Sequence, residues 1–333
     1  MHGNIQKGVR FGAALALALA LCATAALAAE TGGKRLVPVG HTVGVKLFSR
    51  GVVVVKLPEG STPARTCGLK TGDVIEACGG RTVTSTEQFQ SLLQENGTDT
   101  TELSVKRQGS PVTLSVEPER NEDGACCIGA WVRDSMAGIG TVTYYDPDSN
   151  IFGALGHGIT DGDTAALMPF GNGAILPSTV KAVKKGSCGS AGELRGEFDL
   201  TEELGQLYAN TGCGIFGTLN AACSLAEGET LPVGDASEGP AVIRSNISGD
   251  EVQEYAVEIL KTIPDAPDGR ELVISVTDPE LIAATGGIVQ GMSGSPILQN
   301  GQLVGAVTHV LLSDPTKGYG ISVETMLNTG AMT

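Results

Sequence analysis

A short string rich in glycine and serine carries the clearest chemical signal in this sequence of 333 residues. Residues 291–296 (GMSGSP) set Ser293 between Gly291 and Gly294. A serine nucleophile must present its hydroxyl on a tight turn, and flanking glycines permit such a turn without steric cost. The backbone N–H groups of Gly291 and Ser293 can then point at the oxyanion that forms when the serine attacks a carbonyl carbon. The string therefore predicts Ser293 as a nucleophile, with Gly291 and Ser293 as its oxyanion hole.

The residues that follow the serine support this prediction. Residues 297–307 contain two short apolar runs on either side of Asn300 and Gly301. An Asn-Gly pair between apolar runs predicts a β-hairpin. A turn, a strand and then a hairpin is the pattern that follows the nucleophile in trypsin-like enzymes.

Only four histidines are available to act as the general base. Histidine is the side chain whose ordinary pKa suits proton transfer near neutral pH. His2 and His41 lie far from the catalytic string, which leaves His157 and His309. His157 stands among glycines at the end of a predicted strand and precedes the serine, so it is the predicted base. His309 ends the strand after the hairpin and is predicted to be structural or to face the substrate.

The acid that would orient the histidine cannot be chosen from residue types alone. Eight aspartates lie between His157 and Ser293. The spacing found in chymotrypsin-like enzymes favours Asp199, but the residues alone leave the choice open at this point.

Composition limits the classes of function. Hydrophobic residues make up 41% and charged residues 18%, so the chain can bury real cores, and 47 glycines with 4% aromatic residues favour β-rich folds with tight turns. The net charge of −15 would repel phosphate backbones, which argues against a nucleic-acid partner. No Cys-x-x-Cys pair occurs and histidines are few, so no metal or other cofactor is expected. Seven cysteines lie beyond the first 29 residues, and whether they pair or act as small buried hydrophobes is left open.

The first 29 residues predict export. Lys7 and Arg10 give a basic start, and residues 11–29 then carry no charge. This pattern is typical of a signal peptide, with cleavage after Ala28, but the apolar run is also long enough for an N-terminal membrane anchor. Both interpretations remain open.

Residues 37–120 are predicted to form a first, small domain of mixed α and β structure. The predicted elements are a buried strand at 52–55, a second strand at 74–77, a helix at 86–94 capped by Thr86, and paired strands at 102–107 and 112–117. With the glycine-rich string at 68–75, these residues resemble a PDZ domain of the type found in secreted proteases.

The PDZ resemblance implies peptide binding. Such domains accept an extended peptide as an added strand at a sheet edge. By position, Gly44, Val45, Lys46 and Leu47 resemble the turn whose amides hold a peptide carboxylate. The alternative is that this edge is already covered and binds nothing.

Residues 125–333 are predicted to form a mainly β peptidase domain of the chymotrypsin-like double-barrel type. The strings at 153–161, 276–296 and 305–320 closely resemble the SpoIVB peptidase family (stage IV sporulation protein B). In that family the matching serine, histidine and aspartate form a triad. The resemblance therefore assigns Ser293, His157 and Asp278, and it selects Asp278 over Asp199.

The family resemblance also implies a biology. Its members are exported into the space between the two membranes around a forming spore, cleave a membrane-bound regulator of an intramembrane protease, and cut themselves near the N-terminus. The expected partners are thus a protein substrate and the chain's own N-terminal segment. Two alternatives are a PDZ-containing scaffold with a degenerate protease fold, which would not react with a serine-directed phosphonate, and a general extracytoplasmic quality-control protease, whose domain order would be reversed.

Overall fold

The computed structural model describes residues 33–221 and 223–332. The predicted leader at residues 1–29 lies outside the described residues. From Leu36 onward the described residues form one compact unit. Within them, no helix is both long enough and apolar enough to cross a membrane.

The secondary structure is mainly β, as the glycine-rich, aromatic-poor composition predicts. The described strands are β1 (Arg35–Pro38), β2 (Thr42–Lys56), β3 (Val74–Cys78), β4 (Arg81–Thr82), β5 (Thr101–Arg107), β6 (Ser110–Val116), β7 (Glu119–Arg120), β8 (Cys126–Cys127), β9 (Trp131–Asp146), β10 (Ile151–Ala154), β11 (Asn172–Lys184), β12 (Glu193–Phe198), β13 (Gly205–Thr211), β14 (Gly214–Leu219), β15 (Leu231–Pro232), β16 (Gly239–Ser245), β17 (Gln253–Thr262), β18 (Leu272–Val276), β19 (Pro296–Gln299), β20 (Gln302–Val310) and β21 (Lys317–Ser322). The helices are α1 (Pro63–Thr66), α2 (Thr86–Asn96), α3 (Pro279–Thr285) and α4 (Val323–Ala331), with a 3₁₀ turn at Ser224–Ala226.

The C-terminal part of the chain closes into a barrel of six antiparallel strands. Their order around the barrel is β16, β17, β18, β21, β20 and β19. Strand β17 shows how the barrel interior is filled, because its side chains Tyr255, Val257 and Ile259 alternate with exposed residues and point into one core. Met292, which is fully buried, packs into the same core. The turn that carries Ser293 is therefore anchored by the side chain next to it.

Two long strands join the N-terminal and catalytic parts. In the first half of β2, residues 43–48 pair with β11 on one side and β9 on the other. In its second half, Val52 and Val53 pair with β3, while residues 53–56 again pair with β9. The first half of β2 completes a second ring of antiparallel strands, in the order β9, β10, β14, β13, β11 and β2, which closes because β2 pairs with β9. From its second half the same sheet continues through β3, β5 and β6.

The predicted turn at Gly44–Leu47 is wrong. These residues lie inside β2, with both edges hydrogen-bonded. The physical reason is the alternation of apolar side chains, since Val43, Val45 and Leu47 are all buried and a turn would break that pattern.

The rest of the small domain follows the predicted elements, with one change. Strands β5 and β6 pair in register from Thr101 opposite Val116 to Arg107 opposite Ser110. Helix α2 covers their core through Phe89, Leu92 and Leu93. The predicted cap Thr86 is wrong by one residue.

Ser85 is the N-cap of α2, because its hydroxyl accepts the N–H of Gln88 at 3.1 Å. Thr86 instead donates its N–H and its hydroxyl to the Asp134 carboxylate, at 2.8 and 2.6 Å. That carboxylate comes from β9 and ties the start of the helix to the long shared strand.

Candidate active site

Ser293 carries the accessible hydroxyl of the glycine-rich turn. The turn lies between α3 and β19, and Ser293 is half-buried. Its Oγ donates to the carbonyl oxygen of Thr308 at 2.7 Å. Ser295 is fully buried, and its hydroxyl donates to Ser245 at 3.2 Å. Of the two serines, Ser293 is the one that a substrate can reach.

The turn requires a glycine after the nucleophile. Gly294 has φ +97°, and a Cβ at this position would lie 2.0 Å from the carbonyl oxygen of Thr141. Any other residue would be both strained and in collision with the backbone. The close approach of β9 thus explains why glycine stands here.

The peptide planes around the serine are held by hydrogen bonds to their carbonyl oxygens. Four consecutive carbonyls are bonded: Gln290 to the N–H of Leu194 at 2.8 Å, Gly291 to the hydroxyl of Thr141 at 2.8 Å, Met292 to the N–H of Ser295 at 2.9 Å, and Ser293 to the N–H of Thr141 at 2.9 Å. By contrast, the N–H groups of Gly291 and Ser293 have no hydrogen-bond partner within the described residues. Two free amides on a fixed backbone are what an oxyanion hole needs.

His157 lies just beyond the end of β10. The chain turns there through Leu155 and Gly156, which have φ of +69° and +68°. The ring nitrogen Nδ1 is 2.9 Å from the carbonyl oxygen of Gly158. Because a carbonyl can only accept, Nδ1 carries the proton and Nε2 is left as the basic nitrogen. Burial lowers the pKa of His157 below its usual 6.5, with the bond to Gly158 acting in the opposite direction.

Strand β20 brings the histidine and the serine together. A Cβ on Gly156 would lie 2.9 Å from the side chain of Thr308, whose carbonyl holds the Ser293 hydroxyl. The ring of His157 packs against that of His309, with centroids 4.9 Å apart and the planes tilted by 37°. The site thus contains Ser293, His157 and His309 around one short stretch of strand.

His309 is neutral at neutral pH. Burial of part of the ring lowers the pKa of His309 to about 4, and the neighbouring His157 and Arg270 act in the same direction, opposed by Asp268. A neutral imidazole can pack against His157 without opposing its protonation by charge repulsion.

Asp278 is not brought to the imidazole. It is the N-cap of α3, where its carboxylate accepts N–H bonds from Glu280 at 2.9 Å, Leu281 at 3.0 Å and Ala256 at 3.2 Å. Burial acts to raise the pKa of Asp278, but these amides outweigh it and lower the pKa. The role of Asp278 as the orienting acid stays a prediction.

The other candidate acid, Asp199, is exposed and accepts the N–H and hydroxyl of Thr201 at 2.8 and 2.6 Å. Neither aspartate therefore accepts a hydrogen bond from His157 in this structure. The carbonyl of Gly158 occupies the Nδ1 position that such an acid would take.

No metal site is found in the part of the chain that the structure describes, since no three His, Cys, Asp or Glu side chains group together there. The seven cysteines beyond the leader are all free thiols in this structure. Cys78 and Cys126 are buried, and Cys188 is exposed.

The fold and the site define a serine endopeptidase that carries a PDZ domain. A family model for the SpoIVB peptidase S55 matches residues 124–327, and a PDZ domain model matches residues 37–117. The chain belongs to the SpoIVB peptidase S55 family. The predicted family and the predicted fold class, mainly β with a PDZ domain before a trypsin-like peptidase domain, are confirmed.

Comparison with individual proteins gives more partial similarities. Serine protease HTRA1 from Xenopus tropicalis is 35% identical over 74 residues, which are 22% of this chain and 15% of that protein. The chain thus spans only a small part of the curated relatives it matches. The PDZ domain of an SdrC-like protein from Listeria monocytogenes matches 25% of this chain and 87% of its own, at 21% identity and a TM-score of 0.23. The active form of Rv3671c protease from M. tuberculosis matches 59% of this chain and 74% of its own, at 16% identity and a TM-score of 0.30.

Proposed function

We propose that this chain is an exported serine endopeptidase of the sporulation signalling type, which cleaves a membrane-associated regulatory protein and also itself. The observation that carries the catalytic part is the turn at Ser293, where an accessible hydroxyl stands beside two amides that have no partner within the described residues. The segment of His157, whose Nδ1 is held by the Gly158 carbonyl, packs against the same stretch of β20. The family resemblance supports the biological part.

The chemistry would proceed through an acyl-enzyme. The Ser293 hydroxyl leaves the Thr308 carbonyl, attacks the peptide carbonyl carbon and gives its proton to Nε2 of His157. The N–H groups of Gly291 and Ser293 stabilise the oxyanion. His157 then protonates the leaving amine, and a water molecule, deprotonated by the same nitrogen, releases the acyl group.

The orientation of His157 has two contributors in this proposal. The Gly158 carbonyl holds the Nδ1–H in the structure, which fixes the required tautomer. Asp278 is the acid implied by the family, and it would act on the imidazolium that forms during the reaction. No metal or organic cofactor takes part in the proposed steps.

The test of the proposed function is self-processing by the purified full-length chain. Wild-type protein should shorten with time at a site near its N-terminus, seen by intact-mass measurement, whereas Ser293→Ala should keep its full mass. Adding a trace of active wild-type protein to the Ser293→Ala chain would show whether cleavage also occurs between molecules. Equal shortening of Ser293→Ala and wild type in isolation would refute the assignment of the nucleophile.

We also propose that the PDZ part binds an extended peptide, at a different place from the one the sequence indicated. Residues 131–138 of β9 pair with β2 along one edge, and the other edge has no strand partner among the described residues. Helix α2 begins beside this edge, at the bond between Thr86 and Asp134. An open strand edge beside a helix supports strand addition by a peptide.

The single tryptophan of the chain gives a direct test of peptide binding. Trp131 lies on the open edge and is 66% exposed. Titration with a peptide copying residues 30–40 should shift its emission to shorter wavelength as the indole loses water. A Trp131→Phe variant controls for the signal, and an unchanged spectrum at millimolar peptide would contradict binding at this edge.

A further inference from the structure

Thr141 is a fully buried residue in the middle of β9, 150 residues before the turn that it contacts. Its hydroxyl donates to the carbonyl of Gly291 at 2.8 Å, and its N–H donates to the carbonyl of Ser293 at 2.9 Å. Its own carbonyl accepts the N–H of Leu155 at 3.1 Å, on the segment that leads to His157. One residue therefore bonds both sides of the nucleophile turn and the histidine segment.

The hydroxyl bond has a specific consequence for the backbone of the turn. The carbonyl of Gly291 belongs to the peptide plane between Gly291 and Met292, so holding this oxygen opposes rotation of that plane. The N–H groups of Gly291 and Ser293 lie on the two neighbouring planes. The direction of these two N–H groups depends on the shape of the turn, which is held by hydrogen bonds to the carbonyl oxygens of residues 290–293. Of these four bonds, the one from the Thr141 hydroxyl is the one made by a side chain.

We propose that Thr141 is a positioning residue of the oxyanion hole, and that its hydroxyl keeps the turn at Gly291–Ser293 in the shape that aims both amides at the reacting oxygen. The proposal rests on the proposed function of Ser293. It concerns a buried side chain that touches neither substrate nor the reacting atoms, and that no motif of the nucleophile string includes.

Strand β9 provides a matched control. Thr143 is also fully buried and lies two residues further along the same face of the strand, but its hydroxyl has no hydrogen-bond partner within the described residues. Thr→Val at either position removes one hydroxyl and keeps the shape of the side chain. Only the change at Thr141 removes a bond to the turn.

The experiment measures the rate of labelling of the full-length protein by a fluorophosphonate, whose phosphoryl oxygen must enter the oxyanion hole. Wild type, Ser293→Ala, Thr141→Val, Thr141→Ser and Thr143→Val are compared. We expect Thr141→Val to lower the maximal labelling rate about 10–100-fold with little change in the half-saturating concentration, since loss of one oxyanion donor outright costs on the order of 10²–10³-fold. Thr143→Val should label like wild type, and Thr141→Ser, which keeps the hydroxyl, should recover most of the rate.

The outcomes separate the two proposals. If Ser293→Ala is unlabelled while Thr141→Val labels at the wild-type rate, the serine assignment stands and the role of Thr141 is wrong. If Thr141→Ser is as slow as Thr141→Val, the hydroxyl is not responsible, which also overturns the proposal. Labelling of Ser293→Ala at the wild-type rate would instead refute the nucleophile itself. Thermal unfolding of each variant identifies any loss of activity that comes from a loss of folded protein.

Discussion

Replacing each of the two serines in the turn by alanine should have opposite effects on activity and stability. Ser293→Ala removes a half-buried hydroxyl that makes one bond to the Thr308 carbonyl. Loss of a single such bond costs about 1 kcal/mol of folding free energy. Loss of a triad nucleophile costs on the order of 10⁴-fold or more in rate, or about 5.4 kcal/mol of transition-state stabilisation.

Ser295→Ala perturbs the core instead of the chemistry. Ser295 and Ser245 are both fully buried, and the 3.2 Å bond between their hydroxyls is the only side-chain bond that each makes within the described residues. Removing Ser295 leaves the hydroxyl of Ser245 buried without a partner, which costs about 1–3 kcal/mol. Activity below the unfolding temperature should stay within a few-fold of wild type.

The assay is hydrolysis of a quenched fluorescent casein, measured together with thermal unfolding of the same samples. Ser293→Ala should unfold close to wild type and be inactive, whereas Ser295→Ala should be active and less stable. The double variant Ser245→Ala/Ser295→Ala removes both hydroxyls, so it should be no less stable than Ser295→Ala. Normal hydrolysis by Ser293→Ala together with an inactive, stable Ser295→Ala would show that the nucleophile is the other serine.

Two further predictions concern the acid and the base. Asp278→Asn should keep the helix cap, because asparagine caps nearly as well as aspartate, yet it should lower hydrolysis far more than Asp199→Asn does, on the order of 10⁴-fold if the family role applies. Asp278→Ala should in addition lose about 1 kcal/mol of stability, and full activity in Asp278→Asn would leave Asp278 as a cap alone. The pH dependence of hydrolysis reports the base: since burial lowers the pKa of His157, the basic form persists on acidification, and the acid limb should have its midpoint below 6.5. A rate midpoint above 6.5 would contradict the role of His157 as a buried base. Because the pKa values of both His157 and His309 are lowered in the folded state, the unfolded chain binds more protons below pH 6.5, and the free energy of unfolding should fall as pH falls from 6.5 towards about 4.

Local patterns predicted most of the elements correctly. The alternation at residues 102–107 and 112–117 predicts two paired strands, and β5 and β6 pair at these positions. The apolar run after Ser293, with its Asn-Gly turn, predicts the hairpin formed by β19 and β20. Such patterns depend on residues close in sequence, because the hydrogen bonds and side-chain contacts that form a hairpin join residues only a few positions apart.

The errors arose where a distant part of the chain changes the local preference. Gly44–Leu47 suggests a loop by position, but β9 and β11 pair with both of its edges and extend it as strand. Thr86 has the right chemistry for a helix cap, yet Asp134 from β9 takes its donors and Ser85 caps the helix. In each case a partner more than 40 residues away in sequence offers hydrogen bonds that local propensity does not include.

The sequence by itself determined the class of chemistry, because a serine between glycines and a histidine at a strand end are properties of short strings. It also determined the family, through strings long enough to be specific. Only the tertiary structure decided which hydroxyl is accessible, which ring nitrogen of His157 is free, and that Thr141 reaches the carbonyl of Gly291 across 150 residues of sequence. These are matters of distance and burial, and a chain acquires them only when β9, β10 and β20 pack against the same turn.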